Sequence, residues 1–447
     1  MSKSNNLGDF LTGIADAIRA KTGSSALIDP QDFDTEIANI PSGSKLPDVV
    51  NGTVQTLTEE DLQGATAIRQ YAFYFLETLK EISIPSSITS IGRYAFSDCT
   101  SLANVTIGGS VTNIGNYAFQ NCSKLKDIKI PNSVTTIGNR CFINCTQLKT
   151  VDIGNGVTSI SDLVFYGCSA MTSVTILATT PPTLSSSNSF GGSYPIYVPA
   201  GSVSAYQSAS QWSNLASRIQ ALTFANASWD FIRQQVRNGT ASNYFAVGDT
   251  KTVTLTNGTT MTVRIADMTT GRYDFADGSN NKSNMVIEFV ECFADTAKMN
   301  STDTNVGGWA NSEMRSTTMP TCLALLPQDI KDAMSEVLVL SGTGDSTTSG
   351  TSSSVNKLFL PCEWEIFGAK TYSIGSSEAG SSGQFEYYTA HNTAADRIKY
   401  RAGTAQVWWL RSPYSGDIIY FCTVNGYGDA SCFYASAQRG FSPVFAI

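Results

Sequence analysis

The segment 414–437 holds the residues with the clearest capacity for recognition. It contains four tyrosines and two phenylalanines among Ser, Asn, Gly and Asp, and it has no Lys, Arg, Glu or Gln. Tyrosine rings supply contact area at a low cost in conformational entropy, and small polar residues supply hydrogen bonds. The composition therefore predicts non-covalent ligand binding. The candidate contact residues are Tyr414, Asp417, Ile419, Tyr420, Tyr427, Asp429, Phe433 and Tyr434.

Residues that could support catalysis or metal binding are sparse. The single histidine, His391, lies in a polar stretch with no Cys or Ser constellation near it in sequence. Four of the ten cysteines, Cys99, Cys122, Cys145 and Cys168, follow one another at intervals of 23 residues, and the others form no CxxC motif. We therefore expect no catalytic residues, no metal site and no cofactor.

Charge and hydropathy narrow the class of partner. The 447 residues carry 29 Lys and Arg against 37 Asp and Glu, a net charge of −8, and no segment is strongly basic. Nucleic acid is therefore not an expected partner. No run approaches the roughly 18 consecutive apolar residues of a transmembrane helix. We expect neither membrane insertion nor a secretory signal peptide, since no apolar stretch follows the first residues.

From residue 79 onward the sequence repeats every 23 residues. Within each unit, the pattern Leu-x-x-Ile-x-Ile alternates as a short strand does, and Pro or Gly follows it. A unit of this length cannot bury its inward side chains alone, so units must stack with like residues above one another. The sequence predicts a solenoid, with the cysteines as small buried residues and free thiols. Two of the columns are Leu79, Leu102, Leu125, Leu148 and Met171, and Phe73, Phe96, Phe119, Phe142 and Phe165.

The repeated unit, Leu-x-x-Ile-x-Ile-Pro-x-x-Val-x-x-Ile-Gly-x-x-Ala-Phe-x-x-Cys, resembles the BspA-like leucine-rich repeat family over residues 66–176. The segment that follows, with Trp212 and Ile219, resembles the terminal unit of that family and is expected to cover the open end of the stack. Repeats of this family occur in adhesins and binding proteins. The exposed columns are mostly Ser, Thr, Asn and Lys, which favours a spacer and leaves ligand binding by the solenoid open.

The first 45 residues predict a separate helical element. Ile14 and Ile18 recur at helical spacing with their apolar neighbours, and Pro30 after an aspartate is typical of a helix start. The amino-acid sequence of residues 14–40 is similar to an N-terminal element of tail and fibre proteins from phages of gut bacteria. That resemblance implies attachment to a phage tail structural protein. A helical cap for the solenoid is the alternative.

Residues 223–447 lose the 23-residue period and predict an α+β domain with long loops. Helical and strand patterns alternate there, and a low-complexity stretch of Ser, Thr and Gly interrupts them. The expected elements are helices from Trp229 and from Leu326, strands at 252–256, 260–265 and 284–290, and a surface loop at 341–354.

Several blocks of this half carry a second resemblance. The blocks 307–315, 408–413 and 440–447 match a domain of uncharacterised function that recurs in phage and gut-bacterial proteins. The last two also look like the C-type lectin fold of formylglycine-generating-enzyme type, which the variable proteins of diversity-generating retroelements use. Ser442 departs from the Arg that those proteins often have there. The resemblance covers about 225 residues and implies a C-type-lectin-like ligand-binding domain.

Three interpretations of segment 414–437 stay open. It is a surface diversified by a retroelement, a fixed lectin-type surface, or a set of plain core strands. Retroelement mutagenesis replaces adenines, so an AAC codon can yield only residues whose codons end in C. Lys, Glu, Gln, Met and Trp cannot arise in this way, and their absence from 414–437 is consistent with diversification. The apolar residues expected to hold the segment are Phe421, Val424, Ala435 and Phe445.

Three large side chains just before the segment are expected to be structural. Trp408 and Trp409 suggest stacking on sugars, but successive residues of a strand point to opposite faces, so at most one would be available. The pair is predicted to be core. Arg411 is predicted to pair with a buried carboxylate.

These patterns predict a multidomain α+β protein in three parts: helices at 1–45, a leucine-rich repeat solenoid at 46–222 and a C-type-lectin-like domain at 223–447. The expected function is a phage-type adhesin that recognises a host cell-surface protein or glycan. The expected location is the phage tail, with a homo-oligomer such as a trimer left open. The alternative is a bacterial surface or secreted leucine-rich repeat protein whose solenoid binds the partner.

Overall fold

The computed structural model describes residues 55–62, 64–278, 284–293, 295–344, 350–373, 378 and 383–447. The chain divides into two compact units, one ending at Leu222 and one beginning at Thr223. The boundary predicted between the solenoid and the C-terminal domain lies at the same residue. The helices predicted at 1–45, and the expected attachment element they form, lie outside the described residues.

The first unit is a stack of short parallel strands. Three parallel sheets run along it, in the orders β1-β2-β4, β6-β8-β10-β12-β13 and β3-β5-β7-β9-β11. The strands are β1 (Thr56–Leu57), β2 (Glu81–Ser83), β3 (Ser90–Ile91), β4 (Asn104–Thr106), β5 (Asn113–Ile114), β6 (Asp127–Ile130), β7 (Thr136–Ile137), β8 (Thr150–Ile153), β9 (Ser159–Ile160), β10 (Ser173–Ile176), β11 (Thr183–Leu184), β12 (Ile196–Val198) and β13 (Ile219–Ala221). The predicted stacking of one repeat on the next is confirmed, and the stacked strands are parallel.

Strand β6 shows how the repeat produces this stack. Ile128 and Ile130 are buried and the residues between and before them are exposed, as period-2 alternation requires. Ile128 lies opposite Val151 of β8, which is its counterpart one repeat later. Because every repeat places an apolar residue at the same position, each strand extends the sheet in the same register.

The phenylalanine column forms the core of the solenoid. Neighbouring rings from Phe73 to Phe165 stack with centroids 5.0–5.5 Å apart. The cysteine column is buried beside it as free thiols, and the Sγ of Cys122 lies 3.2 Å from the carbonyl oxygen of Phe96. The packing interpretation of these cysteines is confirmed.

The stack ends in the segment that resembles a terminal unit. Helix α1 (Val203–Ser208) and a 3-10 helix (Trp212–Arg218) lie there. The ring of Trp212 continues the aromatic column at 5.3 Å from Phe190, and its indole N–H donates to the carbonyl of Pro182. An aromatic residue larger than phenylalanine therefore closes the core.

The second unit is an α+β domain with antiparallel sheets. The sheets have the orders β14-β15-β16-β24, β17-β18, β19-β20 and β21-β22-β23. The strands are β14 (Thr250–Thr254), β15 (Thr260–Asp267), β16 (Val286–Phe289), β17 (Val337–Gly342), β18 (Thr351–Asn356), β19 (Lys399–Arg401), β20 (Thr404–Gln406), β21 (Trp408–Pro413), β22 (Tyr420–Val424), β23 (Ala430–Tyr434) and β24 (Val444–Ala446). The helices are α2 (Trp229–Arg237), α3 (Met319–Leu325), α4 (Gln328–Ala333), α5 (Glu363–Phe367), α6 (Glu386–Ala390) and α7 (Ala394–Arg397).

The predicted loop at 341–354 is wrong at both of its ends. Residues 337–342 and 351–356 pair as antiparallel strands β17 and β18, while residues 345–349 lie outside the described part of the chain. The run of Ser and Thr in β18 is a strand because β17, with buried Val337 and Val339, provides its ladder partner. The helix expected from Trp229 and the three expected strands are present.

Candidate functional site

The sheet β21-β22-β23 carries the predicted binding segment. Residues 414–419 form the connection between β21 and β22, residues 425–429 form the turn of the β22-β23 hairpin, and Trp408 and Trp409 lie in β21. All four residues predicted to hold the segment are fully buried, as are both tryptophans. The tryptophans are therefore core residues and cannot stack on a sugar.

Arg411 fixes β21 in the core. Its guanidinium makes two hydrogen bonds of 2.5 and 2.9 Å to the carboxylate of Glu365 in α5, and both side chains are fully buried. It also donates to the carbonyl oxygens of Leu340, Leu360 and Glu378. Burial alone would raise the pKa of Glu365, but Arg411 holds it below the usual range. The predicted pairing of Arg411 with a buried carboxylate is confirmed.

Four tyrosines, Tyr372, Tyr414, Tyr420 and Tyr434, form a continuous patch that we call the tyrosine cluster. Successive ring centroids are 5.7, 5.9 and 4.7 Å apart. Tyr420 and Tyr434 face each other across β22 and β23, and the interaction with the Tyr434 side chain raises the pKa of Tyr420 to about 12. Three predicted contact residues are thus brought together with one that lies far away in sequence.

A buried asparagine holds the connection below the tyrosine cluster. Asn305 is fully buried, and its side-chain nitrogen lies 2.8 Å from the carbonyl oxygens of both Asp417 and Tyr420 and 3.1 Å from that of Tyr414. A connection whose backbone carbonyls are bound in this way presents its side chains in a defined arrangement. Hydrogen bonds from one distant side-chain amide to the backbone of a loop leave no local pattern in the sequence, so the role of Asn305 was not predicted. Tyr372, which lies 42 residues before Tyr414, was not predicted either.

The remaining predicted residues lie apart from the tyrosine cluster. Tyr427 and Asp429 occupy the hairpin turn and are exposed, Tyr427 to 80%. Five-residue strands separate this turn from Tyr420 and Tyr434, which corresponds to roughly 14 Å along the hairpin. Phe433 lies on the opposite face, under the guanidinium of Arg439 at 3.9 Å. Asp417 and Ile419 lie in the connection 414–419, so the eight predicted residues are divided among the tyrosine cluster with this connection, the hairpin turn and the ring of Phe433.

None of the eight predicted contact residues is buried. Tyr434 is 47% exposed, and Asp417 and Ile419 are half-buried. The neighbouring Ile418 is the more exposed isoleucine at 44%, and Val306, adjacent to the anchoring Asn305, is 53% exposed. The core-strand interpretation of 414–437 therefore does not describe these eight side chains, although it does describe residues 421–424 of β22, which are all buried.

The solenoid carries a second aromatic surface, in addition to its polar exposed columns. Tyr71, Tyr94 and Tyr117 occupy one column with rings stacked 5.2 and 4.7 Å apart, and Tyr74 packs edge-on against two of them. We call these four residues the solenoid aromatic cluster. Arg93 lies over the ring of Tyr94. All four rings are half-buried.

The backbone under this column is unusual. Tyr71, Tyr94 and Tyr117 have φ values of 63, 56 and 60°, in the left-handed region that disfavours bulky residues. Each of their N–H groups bonds to a carbonyl in the next repeat, for example Tyr94 to Asn116 at 3.0 Å. Inter-repeat hydrogen bonds therefore hold a conformation that a single repeat would not adopt.

Glu378 is a buried carboxyl group below β21. It accepts hydrogen bonds from the hydroxyl of Ser412 at 2.6 Å and from the backbone N–H of Gly342 at 2.7 Å. Burial raises its pKa from an ordinary 4.5 to about 7, although these two bonds and Arg411 oppose the shift. The buried Glu288, between Lys399 and Arg264, behaves in the opposite way: burial raises its pKa, but the two cations hold it at about 2.

We expect the stability of the second unit to fall as the pH rises from 4.5 to 7.5. The folded state prefers the protonated form of Glu378. The contribution of this group to the free energy of unfolding is therefore complete below pH 4.5, and about 3 kcal/mol of it is lost as the pH rises to 7. Thermal unfolding of the native chain and of Glu378→Gln across this range provides the measurement. The variant should lose the decline, whereas Glu336→Gln, at an exposed position, should keep it. An equal decline in all three proteins would contradict the assignment.

The described residues contain no group of side chains suited to metal binding. No group of three or more His, Cys, Asp or Glu side chains there could hold a metal ion. His391 is exposed and stacks on Tyr387 at 4.3 Å. Among the same residues, no helix has the length and apolar character needed to cross a membrane.

One open pocket of 340 Å³ lies in the second unit beside Trp229 and Lys251. None of the predicted contact residues lines it. The amino group of Lys251 lies 2.7 Å from the carbonyl oxygen of Ala227 and 3.0 Å from that of Ala225, and burial lowers its pKa to about 8. Backbone carbonyls therefore already bind this amine.

Comparison with protein families identifies the first unit. Residues 66–194 match the model of the BspA type leucine rich repeat region, in six copies. The chain contains a BspA-type repeat region. The predicted resemblance is confirmed for this part, and the match extends into the segment expected to resemble the terminal unit. Residues 282–447 match a domain of unknown function, DUF6273. The expected match to an uncharacterised domain is confirmed, over a shorter stretch than residues 223–447.

Solved structures similar to the chain are bacterial leucine-rich repeat proteins. A Treponema pallidum leucine rich repeat protein is 33% identical over 25% of this chain and 52% of its own, with a TM-score of 0.25. A Bacteroides ovatus leucine-rich repeat protein is 26% identical over 33% and 40%, with a TM-score of 0.25. A Faecalibacterium prausnitzii leucine rich cell surface protein is 23% identical over 29% and 50%, with a TM-score of 0.20. The matched part spans about half or less of each protein. Comparison with curated proteins gave no match.

Proposed function

We propose that this protein is a non-catalytic recognition protein of the bacterial cell surface that binds a surface protein or glycan through the tyrosine cluster and the hairpin turn. One observation carries the proposal. Of the eight large apolar side chains that are exposed in the described part of the chain, Val306, Ile418, Tyr427 and Tyr434 lie on or beside the β22-β23 hairpin. Clustered exposed apolar groups mark interaction sites, whereas scattered ones need no explanation.

The chemistry of this surface fits binding. Tyrosine is enriched at the energetic centres of interfaces because its ring buries a large apolar area while its hydroxyl still finds a hydrogen bond. Asn305 and the buried frame hold the surface before a ligand arrives, so little conformational entropy is lost on binding. A lectin-like fold and diversification by a retroelement would be consistent with this surface and stay predictions.

The location is also part of the proposal. The name of the Faecalibacterium prausnitzii protein describes that protein as a cell surface protein, and we extend that location to this chain. The phage-tail location and the tail-protein partner stay predictions, since residues 14–40, on which they depend, lie outside the described residues.

A second candidate function, binding by the solenoid, is favoured by the solenoid aromatic cluster. Three stacked, half-buried tyrosines lie in one column of the repeats, on a backbone in the left-handed region. The two surfaces lie in different units, and each can be altered without touching the other.

Replacing Tyr420, Tyr427 and Tyr434 together by Ala should reduce binding about 100-fold, because rigid aromatic anchors dominate the affinity of such surfaces. The measurement is flow cytometry with the labelled full chain on cultured epithelial cells and on gut bacteria, since the proposed ligand is a surface protein or glycan. The melting temperature should change little, because the three rings are not core.

Two matched variants locate the binding surface. Tyr400→Ala removes a similarly exposed tyrosine from the same unit and should leave binding unchanged. Replacing Tyr71, Tyr94 and Tyr117 by Ala tests the solenoid. Loss of binding only in this second triple variant would refute the hairpin surface and establish the solenoid as the binding unit.

A further inference from the structure

Cys422 and Cys432 lie directly opposite each other in neighbouring antiparallel strands. Cys422 is the third residue of β22 and Cys432 the third residue of β23, and their Cα atoms are register partners. Two positions along the hairpin is the pair of Tyr420 with Tyr434, whose ring centroids are 4.7 Å apart. The two thiols therefore lie on the same face as the last two rings of the tyrosine cluster.

The hydrogen-bond pattern shows which kind of pair this is. The N–H of Ala435 donates to the carbonyl of Ile419, and that of Asn425 donates to Asp429, so hydrogen-bonded pairs occur at the odd positions of β22. Position 422 is therefore a non-hydrogen-bonded pair. In such pairs the Cα atoms are about 4.5 Å apart and the side chains approach most closely. This separation lies within the range of about 4.4–6.8 Å that disulfides span.

Accessibility distinguishes this pair from the other cysteines. All ten lie in the described part of the chain; nine are buried, and Cys432 is half-buried. The column of Cys99, Cys122, Cys145 and Cys168 also brings thiols near one another, but each is sealed in the solenoid core beside a backbone carbonyl. An oxidant can therefore reach the hairpin pair first.

We propose that Cys422 and Cys432 form a reversible cross-strand disulfide that closes the hairpin bearing Tyr427. With a small disulfide such as oxidised glutathione, the Cys432 thiolate attacks one sulfur and releases one molecule of reduced thiol. The Cys422 sulfur then attacks the Cys432 sulfur of the mixed disulfide and releases the second. The two protons of the protein thiols end on the two released thiols, and the two protein sulfurs are oxidised.

The pH should control the rate of this reaction. Burial raises the pKa of both thiols, more strongly that of Cys422. Since the thiolate is the nucleophile, closure should be slow near neutral pH and accelerate towards pH 9. The product encloses the hairpin turn in a short covalent loop, which should raise the melting temperature of the second unit by about 5 °C.

The experiment treats the full chain with oxidised glutathione at pH 8.5, traps remaining thiols with N-ethylmaleimide, and maps tryptic peptides by mass spectrometry. No Lys or Arg lies between Arg411 and Arg439, so both cysteines remain in the single peptide 412–439. We expect this peptide to lose two hydrogen atoms and to escape alkylation, and dithiothreitol should restore both thiols. The other eight cysteines should stay reactive after denaturation.

Two variants complete the test. Cys422→Ala should leave Cys432 as a stable glutathione adduct, and Cys322→Ser, at a buried cysteine elsewhere in the unit, should leave closure unchanged. The proposal is overturned if the native peptide 412–439 keeps both thiols, if it accumulates a glutathione adduct without closing, or if a disulfide joins other cysteines. The state of peptide 412–439 in the native chain is sufficient to test the disulfide, so the result does not depend on the folding of the variants or on the proposed function.

Discussion

Arg411→Met is expected to lower the free energy of unfolding of the second unit by about 3–5 kcal/mol, which is the cost of leaving a buried charge without its partner. The variant keeps an apolar side chain of similar length but leaves the Glu365 carboxylate uncompensated. It also leaves the carbonyl oxygens of Leu340, Leu360 and Glu378 without a donor. Since domains of this size are stable by about 5–15 kcal/mol, much of the native stability would disappear.

The matched control for this prediction is Arg439→Met. Arg439 lies over the ring of Phe433 near the surface, so its loss should cost less than about 1 kcal/mol. A double variant, Arg411→Met with Glu365→Gln, should regain part of the loss because it removes the unpaired charge. Urea unfolding followed by tryptophan fluorescence measures all three. A small loss for Arg411→Met, or no recovery in the double variant, would show that the ion pair is not what holds β21.

The pairing of Arg411 illustrates what the sequence of the second unit can and cannot show. An arginine within an apolar strand must find a carboxylate, so the pairing itself was predictable. The identity of Glu365 was not, because it lies 46 residues away in a different element. The place of Tyr372 in the tyrosine cluster was unpredictable for the same reason. Its position depends on the path of the chain after α5, and no local sequence pattern specifies that path.

The structure of the solenoid was more predictable, because the same residue pattern recurs in every repeat and each repeat adopts the same local structure. Columns of identical apolar residues predicted correctly that like residues of successive repeats lie above one another and that the cysteines of the column are buried. The solenoid aromatic cluster was missed because its column holds tyrosine in three repeats and then changes to Arg140 and Leu163. The left-handed backbone that presents these side chains arises from hydrogen bonds between repeats, which composition alone does not indicate.

Strand β18 was missed for a related reason. A run of Ser and Thr has the composition of a loop, and Thr351 to Ser354 offer few apolar residues to mark alternation. The apolar partner strand β17 supplies the pairing, since strand preference depends on the neighbouring strand more than on the residue itself. Local composition therefore underestimates strands that pair with a strongly apolar neighbour.

Phe119→Ala is expected to destabilise the solenoid by about 3–5 kcal/mol, the usual cost of removing a buried phenylalanine ring. Phe119 is fully buried and stacks on Phe96 at 5.0 Å and on Phe142 at 5.2 Å, so the variant breaks the aromatic column at its middle. In a stack held by contacts between neighbouring repeats, the loss should divide one cooperative unit into two. Hydrogen exchange should then show faster opening of β4 to β7 than of the strands near Trp212.

The conservative variant Phe119→Leu separates the cavity from the aromatic stacking. It keeps most of the buried apolar volume, so it should cost about 1–2 kcal/mol and preserve a single unfolding transition. The exposed variant Tyr166→Ala should leave both stability and exchange unchanged. If Phe119→Ala unfolded all repeats together, with uniform exchange from β2 to β13, the repeats would form one indivisible core. Coupling between neighbouring repeats would then exceed the contribution of any single ring in the column.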